Sequence, residues 1–332
     1  WINTMDSTSN VRGAPPFIQA SVSGACNTLV TAPCCANAKI ATFTGPGSFT
    51  VTAAALCAAN NIVSHLIVAG GGSGGTGCSG GGAGAGGFRE VKSPITPYTA
   101  SPLDGYSVPA NRVTVTAQTY AIVVGGGAPG QATAPNSCNS DGTRGNNSSF
   151  GGIISTGGGA GGDGPAGPEG PGGSGGGGGH SSGTAGNGNT PPVSPAQGFN
   201  GRPSQPATGP APSDAGGAGG GATAAGTCGS SGHQGGAGAT TSISATPTAY
   251  AGGGGGSNRC GGTSGDVAGG AGGGGRGASN PRPRPAFDAT GQNGTDNTGG
   301  GGGAGGSLAS GGPIGGTGTG GSGIVIIRYK FQ

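Results

Sequence analysis

Apolar residues recur along this chain in short blocks, several of which end at a glycine or proline. Residues 40–44 (IATFT) and 48–52 (SFTVT) alternate apolar and polar positions around Gly45-Pro46-Gly47, which predicts a β-hairpin. Residues 53–60 predict one helical turn or a loop, and 61–69 (NIVSHLIVA) a strand running straight into glycine. Shorter strands are predicted at 88–92 (FREVK), 113–116 (VTVT) and 119–124 (TYAIVV), and another at 148–155 (SSFGGIIS). The strongest is 323–331 (GIVIIRYKF), too apolar to lie in water. Its expected partners are 40–51, 62–68 and 119–124, which would close a small β-structure at one end.

Between these strands the chain is dominated by glycine, 89 residues of 332, in short runs from Gly70 to Gly321. The longest are 175–179, 252–256 and 299–303. Such runs have no side chain to bury and lose much backbone entropy on ordering. A flexible linker is one reading of that composition. The other is a lattice of polyproline-II strands, threefold helices whose amides must find partners on neighbouring strands. Strands on both sides of the glycine, and insertions that do not repeat one another, favour the lattice. Pure runs are then expected inside it, and interrupted runs such as 157–162 (GGGAGG) at its periphery. The fold class expected is a small all-β structure at one end of a large polyglycine-II bundle, with no α-helix. The β-end comprises 40–69, 113–124, 148–155 and 323–331, and the bundle 70–87, 125–131 and 157–322. Residues 1–39 read as a connector or attachment segment, and 40–332 as one glycine-rich domain.

Composition narrows the function. A net charge of +3 without basic blocks gives no footprint for nucleic acid, and no apolar run is long enough to span a membrane. The chain opens at Trp1 with neither Met nor a signal-type apolar stretch, as expected of a processed or partial chain. Eight cysteines without C-x-x-C, and only three histidines, argue against zinc and for disulfides in an extracellular protein, with free buried thiols as the alternative. No cofactor or metal is expected. Strand 61–69 followed by GGGSGG mimics a dinucleotide fingerprint, but Gly80–Gly87 cannot supply the required helix. No nucleophile, base and acid converge: His65 reads as a satisfied strand residue, and His180 and His233 lie within glycine runs. An enzyme is not expected. The triplets at 164–171 are too few for collagen, and the sequons at Asn146, Asn147 and Asn293 count little in a bacterial or phage context.

Several pieces, taken in order, carry a family resemblance: 43–52 (FTGPGSFTVT), 66–72 (LIVAGGG), 84–89 (GAGGFR), 148–150 (SSF), 250–256 (YAGGGGG) and 321–329 (GSGIVIIRY). Over about residues 40–332 the chain resembles the glycine-rich domains of bacteriophage tail-fibre and adhesin proteins abundant in marine phages. The tip adhesins of T-even-like phages are a related architecture. The resemblance implies a polyglycine-II bundle whose variable loops contact a bacterial surface receptor, an outer-membrane protein or a glycan. It implies other tail-fibre subunits as partners, and a virion or extracellular location. A structural subunit of an extracellular or cell-surface filament is the alternative function. An ice-binding protein would need regular Thr or Ala rows, which the chain lacks.

If glycine runs are struts, recognition belongs to the insertions between them. The richest are 93–111 with Tyr98, Tyr106 and the adjoining Arg112, 190–214 with Phe199 and Arg202, and 278–298 with Arg282, Arg284 and Phe287. Tyr, Phe and Arg are types that dominate interface energies. Solvated connectors are the plain alternative. Cys78, Cys138, Cys228 and Cys260 each follow a glycine run leaving the β-end, so they are expected at one tip, paired 78–138 and 228–260.

Overall fold

The computed structural model describes residues 15–33, 37–77, 79–132, 140–164, 170–180, 183–205, 215–227, 233–257, 267–278, 290–306 and 315–332. Among these residues there are β-strands and two short 3₁₀ turns, and no α-helix.

Alternating apolar positions build two sheets. Strands β1 (Gln19–Ser23), β4 (Gly47–Ala53) and β8 (Thr119–Ile122) form one, in the order β1-β4-β8. The larger sheet runs β2 (Thr28–Thr31), β3 (Ala38–Phe43), β13 (Ile324–Lys330), β5 (Ile62–Val68) and β6 (Phe88–Val91), with β7 (Val113–Thr114) also paired to β5. Two strands therefore lie before residue 40, so the stretch read as a connector supplies edges to both sheets.

The hairpin expected at 40–52 is instead an arch. β3 pairs with β2 and β13, while β4 crosses to β1 and β8. The Asn27 amide explains the crossing: Nδ2 donates to Ser23 O at 2.9 Å, and Oδ1 accepts from the Thr44 amide at 3.2 Å. It thereby ties the β1–β2 corner to the β3–β4 corner. The stretch 148–155 is likewise folded, into β9 (Ser148–Phe150) and β10 (Ile153–Ser155), not one strand. Gly151 and Gly152, at φ 58° and 86°, supply the two positive dihedrals that a tight primed turn needs. A further hairpin, β11 (Ala239–Thr241) and β12 (Thr248–Tyr250), lies within the part expected to be bundle alone.

β13 lies between β3 and β5, antiparallel to both, and does not pair with β8. Its alternate residues enter two apolar clusters. Val325, Ile327 and Tyr329 join Phe43, Phe49, Ile122 and Phe150 between the sheets. Ile324 and Ile326 join Leu66, Phe88, Ile243 and Tyr250 on the other face. Burial on both faces is why this strand reads as an unbroken apolar run.

β5 continues into residues 69–77, which are buried throughout. Their amides follow a period of three. Gly70, Ser73 and Thr76 donate to Asn146, Thr143 and Ser140; Gly71 and Gly74 to Gly321 and Gly318; Gly72 and Gly75 to Gly84 and Gly81. Carbonyls of the same segment accept from Ala128, from Gly158 and Gly161, and from Gly302 and Gly305. Six other glycine-rich segments thus surround it. The pure runs 175–179, 252–256 and 299–303 are also fully buried. So is 157–162, expected at the periphery. Its one methyl, on Ala160, faces Gly170, where an added Cβ would come within 3.2 Å. This interrupted run is buried with its one side chain against a glycine.

Candidate functional site

The insertion 93–112 folds back on the larger sheet. Asp104 Oδ1 accepts from the amides of Lys92 and Tyr106, both at 3.0 Å, and Gly105 donates to Glu90 O at 2.9 Å. A 3₁₀ turn at Pro109–Asn111 then delivers Arg112 beside Tyr106. The guanidinium carbon lies 4.3 Å from the ring centroid, and Nε donates to Tyr106 O at 2.7 Å. Tyr106 and Arg112 are thus one half-exposed, mutually braced pair.

Tyr98 does not join them. Its ring lies 5.3 Å from the buried guanidinium of Arg328, whose Nη2 donates to Pro97 O at 3.0 Å. Burial, and then the nearby Glu90 carboxylate, push the Tyr98 hydroxyl far above its ordinary pKa. Tyr98 is thus half-buried and packed on Arg328. Glu90 is itself buried and accepts from the Ser101 amide and the Thr241 hydroxyl. Burial raises its pKa, against the opposing effect of those bonds.

The insertion beginning at 190 packs beside the first. The Asn111 side chain donates through Nδ2 to Ser194 O at 2.7 Å, at the second of two cis bonds, Thr190–Pro191 and Ser194–Pro195. Buried Gln197 fixes the next turn, accepting from the Thr156 amide and donating to Pro191 O. From there burial repeats every third residue: Gly198, Gly201 and Ser204 point inward, while Phe199 and Arg202 are exposed. The Phe199 and Arg202 amides donate to Gly221 and Ala218, so both side chains project from a hydrogen-bonded edge. Phe199 and Arg202 thus lie three residues apart on the exposed side of this segment.

Arg282, Arg284 and Phe287 lie outside the described residues, as do Cys78, Cys138, Cys228 and Cys260. Cys26 and Cys57 are free and exposed. Among the described residues nearby in sequence, Thr76 donates to Ser140, and Ser257 to Gly80. Among the described residues no cluster suits a metal ion, and no helix is long and apolar enough to cross a membrane.

Sequence reasoning missed the polar group beneath the first insertion. Arg89 donates through Nη2 to Asn111 Oδ1 at 2.6 Å and through Nη1 to Ile154 O at 3.2 Å. Beside it His65 is fully buried, 6.0 Å from the Phe150 ring in an edge-on contact. It is a strand residue as expected, but not a satisfied one: neither ring nitrogen has a partner among the described residues. Burial, then the Arg89 charge, lower its pKa to about 3. The available signal was charge inside strand patterns, in 88–91 (FREV) and 324–330 (IVIIRYK).

A family model described as a glycine-rich domain matches residues 43–330 of the chain. No curated protein matches it.

Proposed function

We propose, from the premise that the chain belongs to the glycine-rich domain family, that it is a receptor-binding adhesin at the tip of a bacteriophage tail fibre. In this reading the glycine segments form a polyglycine-II bundle, each segment a threefold helix rising ~3.1 Å per residue. The observation that carries it is the hydrogen bonding of residues 69–77, which repeats every three residues and engages six neighbours. A scaffold bonded on all sides holds surface side chains with little entropy left to lose on binding. Tyr106 with Arg112, and Phe199 with Arg202, are the described groups that would meet a bacterial surface protein or glycan. Arg282, Arg284 and Phe287 are the third candidate set. Other fibre subunits would hold the chain on the virion.

The test is binding of the fluorescently labelled chain to a panel of marine bacteria. Paired alanine variants at Tyr106 and Arg112, and at Phe199 and Arg202, are compared with a triple variant at Arg282, Arg284 and Phe287. At least one set should abolish binding while leaving the melting transition unchanged. Binding that survives all three, or no binding to any bacterium, removes the reading.

A further inference from the structure

Beneath the Tyr106–Arg112 loop lies a cavity of about 10 Å³ lined by His65, Arg89, Glu90, Leu103, Asn111 and Pro195. We propose that it is a binding site for one ordered water, which joins the His65 ring on β5 to the Arg89–Asn111 layer under both candidate loops.

Size sets the ligand first, because a cavity of this volume admits about one water. Chemistry agrees. Neutral imidazole carries one donor and one acceptor, and a buried polar atom seldom stays unpaired. His65 shows both ring nitrogens buried and without a partner among the described residues. Water can serve either nitrogen. A cation is excluded by the Arg89 guanidinium on the same face of β6. The neighbouring carboxylate is turned away, since Glu90 accepts from Ser101 and Thr241. Phe88, Val91, Leu103 and Pro195 line the cavity beside Glu90, and the water's other partners are the guanidinium of Arg89 and the side-chain oxygen of Asn111, whose Nδ2 already donates to Gly105 O and Ser194 O.

The site has a consequence for the loops. Asn111 donates to Gly105 O in the first insertion and to Ser194 O in the second. A water shared with His65 fastens that junction to β5. His65 is then a positioning residue.

The test uses the full chain, labelled with ¹⁵N. Cross-relaxation between a long-lived water and the His65 ring is expected, with imidazole shifts of a neutral, hydrogen-bonded tautomer. In His65→Leu the water signal should vanish, and exchange of the Asn111 backbone amide should rise about tenfold, the change for one lost hydrogen bond of ordinary strength. A His65→Gln variant, which keeps a donor and an acceptor, should retain the water. No long-lived water near His65 in the wild-type protein overturns the proposal whether or not the variants fold. Density for a heavier anion at that place in a crystal would also overturn it.

Discussion

The amide of Gly71 donates to the carbonyl of Gly321 at 2.9 Å, joining the first glycine segment to the last. Three residues on, Gly74 meets Gly318 in the same antiparallel sense. Contacts of this kind bring backbones to distances that leave no room for a Cβ. One added to Gly254 would strike Gly302 O, and one on Gly301 would strike Ala83 O. Both obstacles are backbone held on other sides by further bonds, so they cannot move aside cheaply. Gly254→Val and Gly301→Val should each cost about 3 kcal/mol or more, at the upper end of overpacking effects. Gly164→Ala is the control, because nothing lies within 4 Å of its added methyl. Urea melts that find all three variants equal to wild type would contradict close packing.

Much of the β-part was legible. The run 324–327 announced a strand buried on both faces, and its pairing with β3 and β5 follows. The arch at 45–47 was not legible, because Gly-Pro-Gly specifies a turn but not the partner of the strands beside it. That choice is made by β1, β2 and the Asn27 bonds. Nor could residue types separate Tyr106 from Tyr98. The first finds its cation six residues on, whereas the second packs on Arg328 from the far end of the chain.

β13 is the keystone of both apolar clusters. Ile327 is fully buried between the sheets, so Ile327→Ala should lose about 2–5 kcal/mol. Deleting 323–332 should leave the chain insoluble or unfolded. A soluble deletion with a cooperative melt would show that the sheets close without it.

Stability should fall on the acid side through His65. Its pKa drops from 6.5 to about 3 on folding, so between those values the unfolded chain binds the extra proton and stability rises with pH. The contribution is complete above 6.5 and is lost as pH falls toward 3. Glu90 acts oppositely, because its raised pKa makes stability fall as pH climbs above 4.5. Urea midpoints across this range should show a shallower acid limb in His65→Leu than in wild type. An identical limb would mean that His65 is not buried neutral.

Cys26 and Cys57 are free and exposed, so iodoacetamide should modify both in the folded protein. Peptide mapping that finds either one in a disulfide would contradict this arrangement.

Lateral hydrogen bonds order the glycine segments, and backbone amide exchange reads those bonds directly. Gly71, Gly82 and Gly301, all buried, donate to Gly321, Gly217 and Gly252 on neighbouring glycine segments. Native-state exchange followed by NMR should find these amides protected to the same extent as Val325 and Ile327 in β13. Exchange at the rate of an unfolded chain in the glycine amides, while β13 stays protected, would contradict the account.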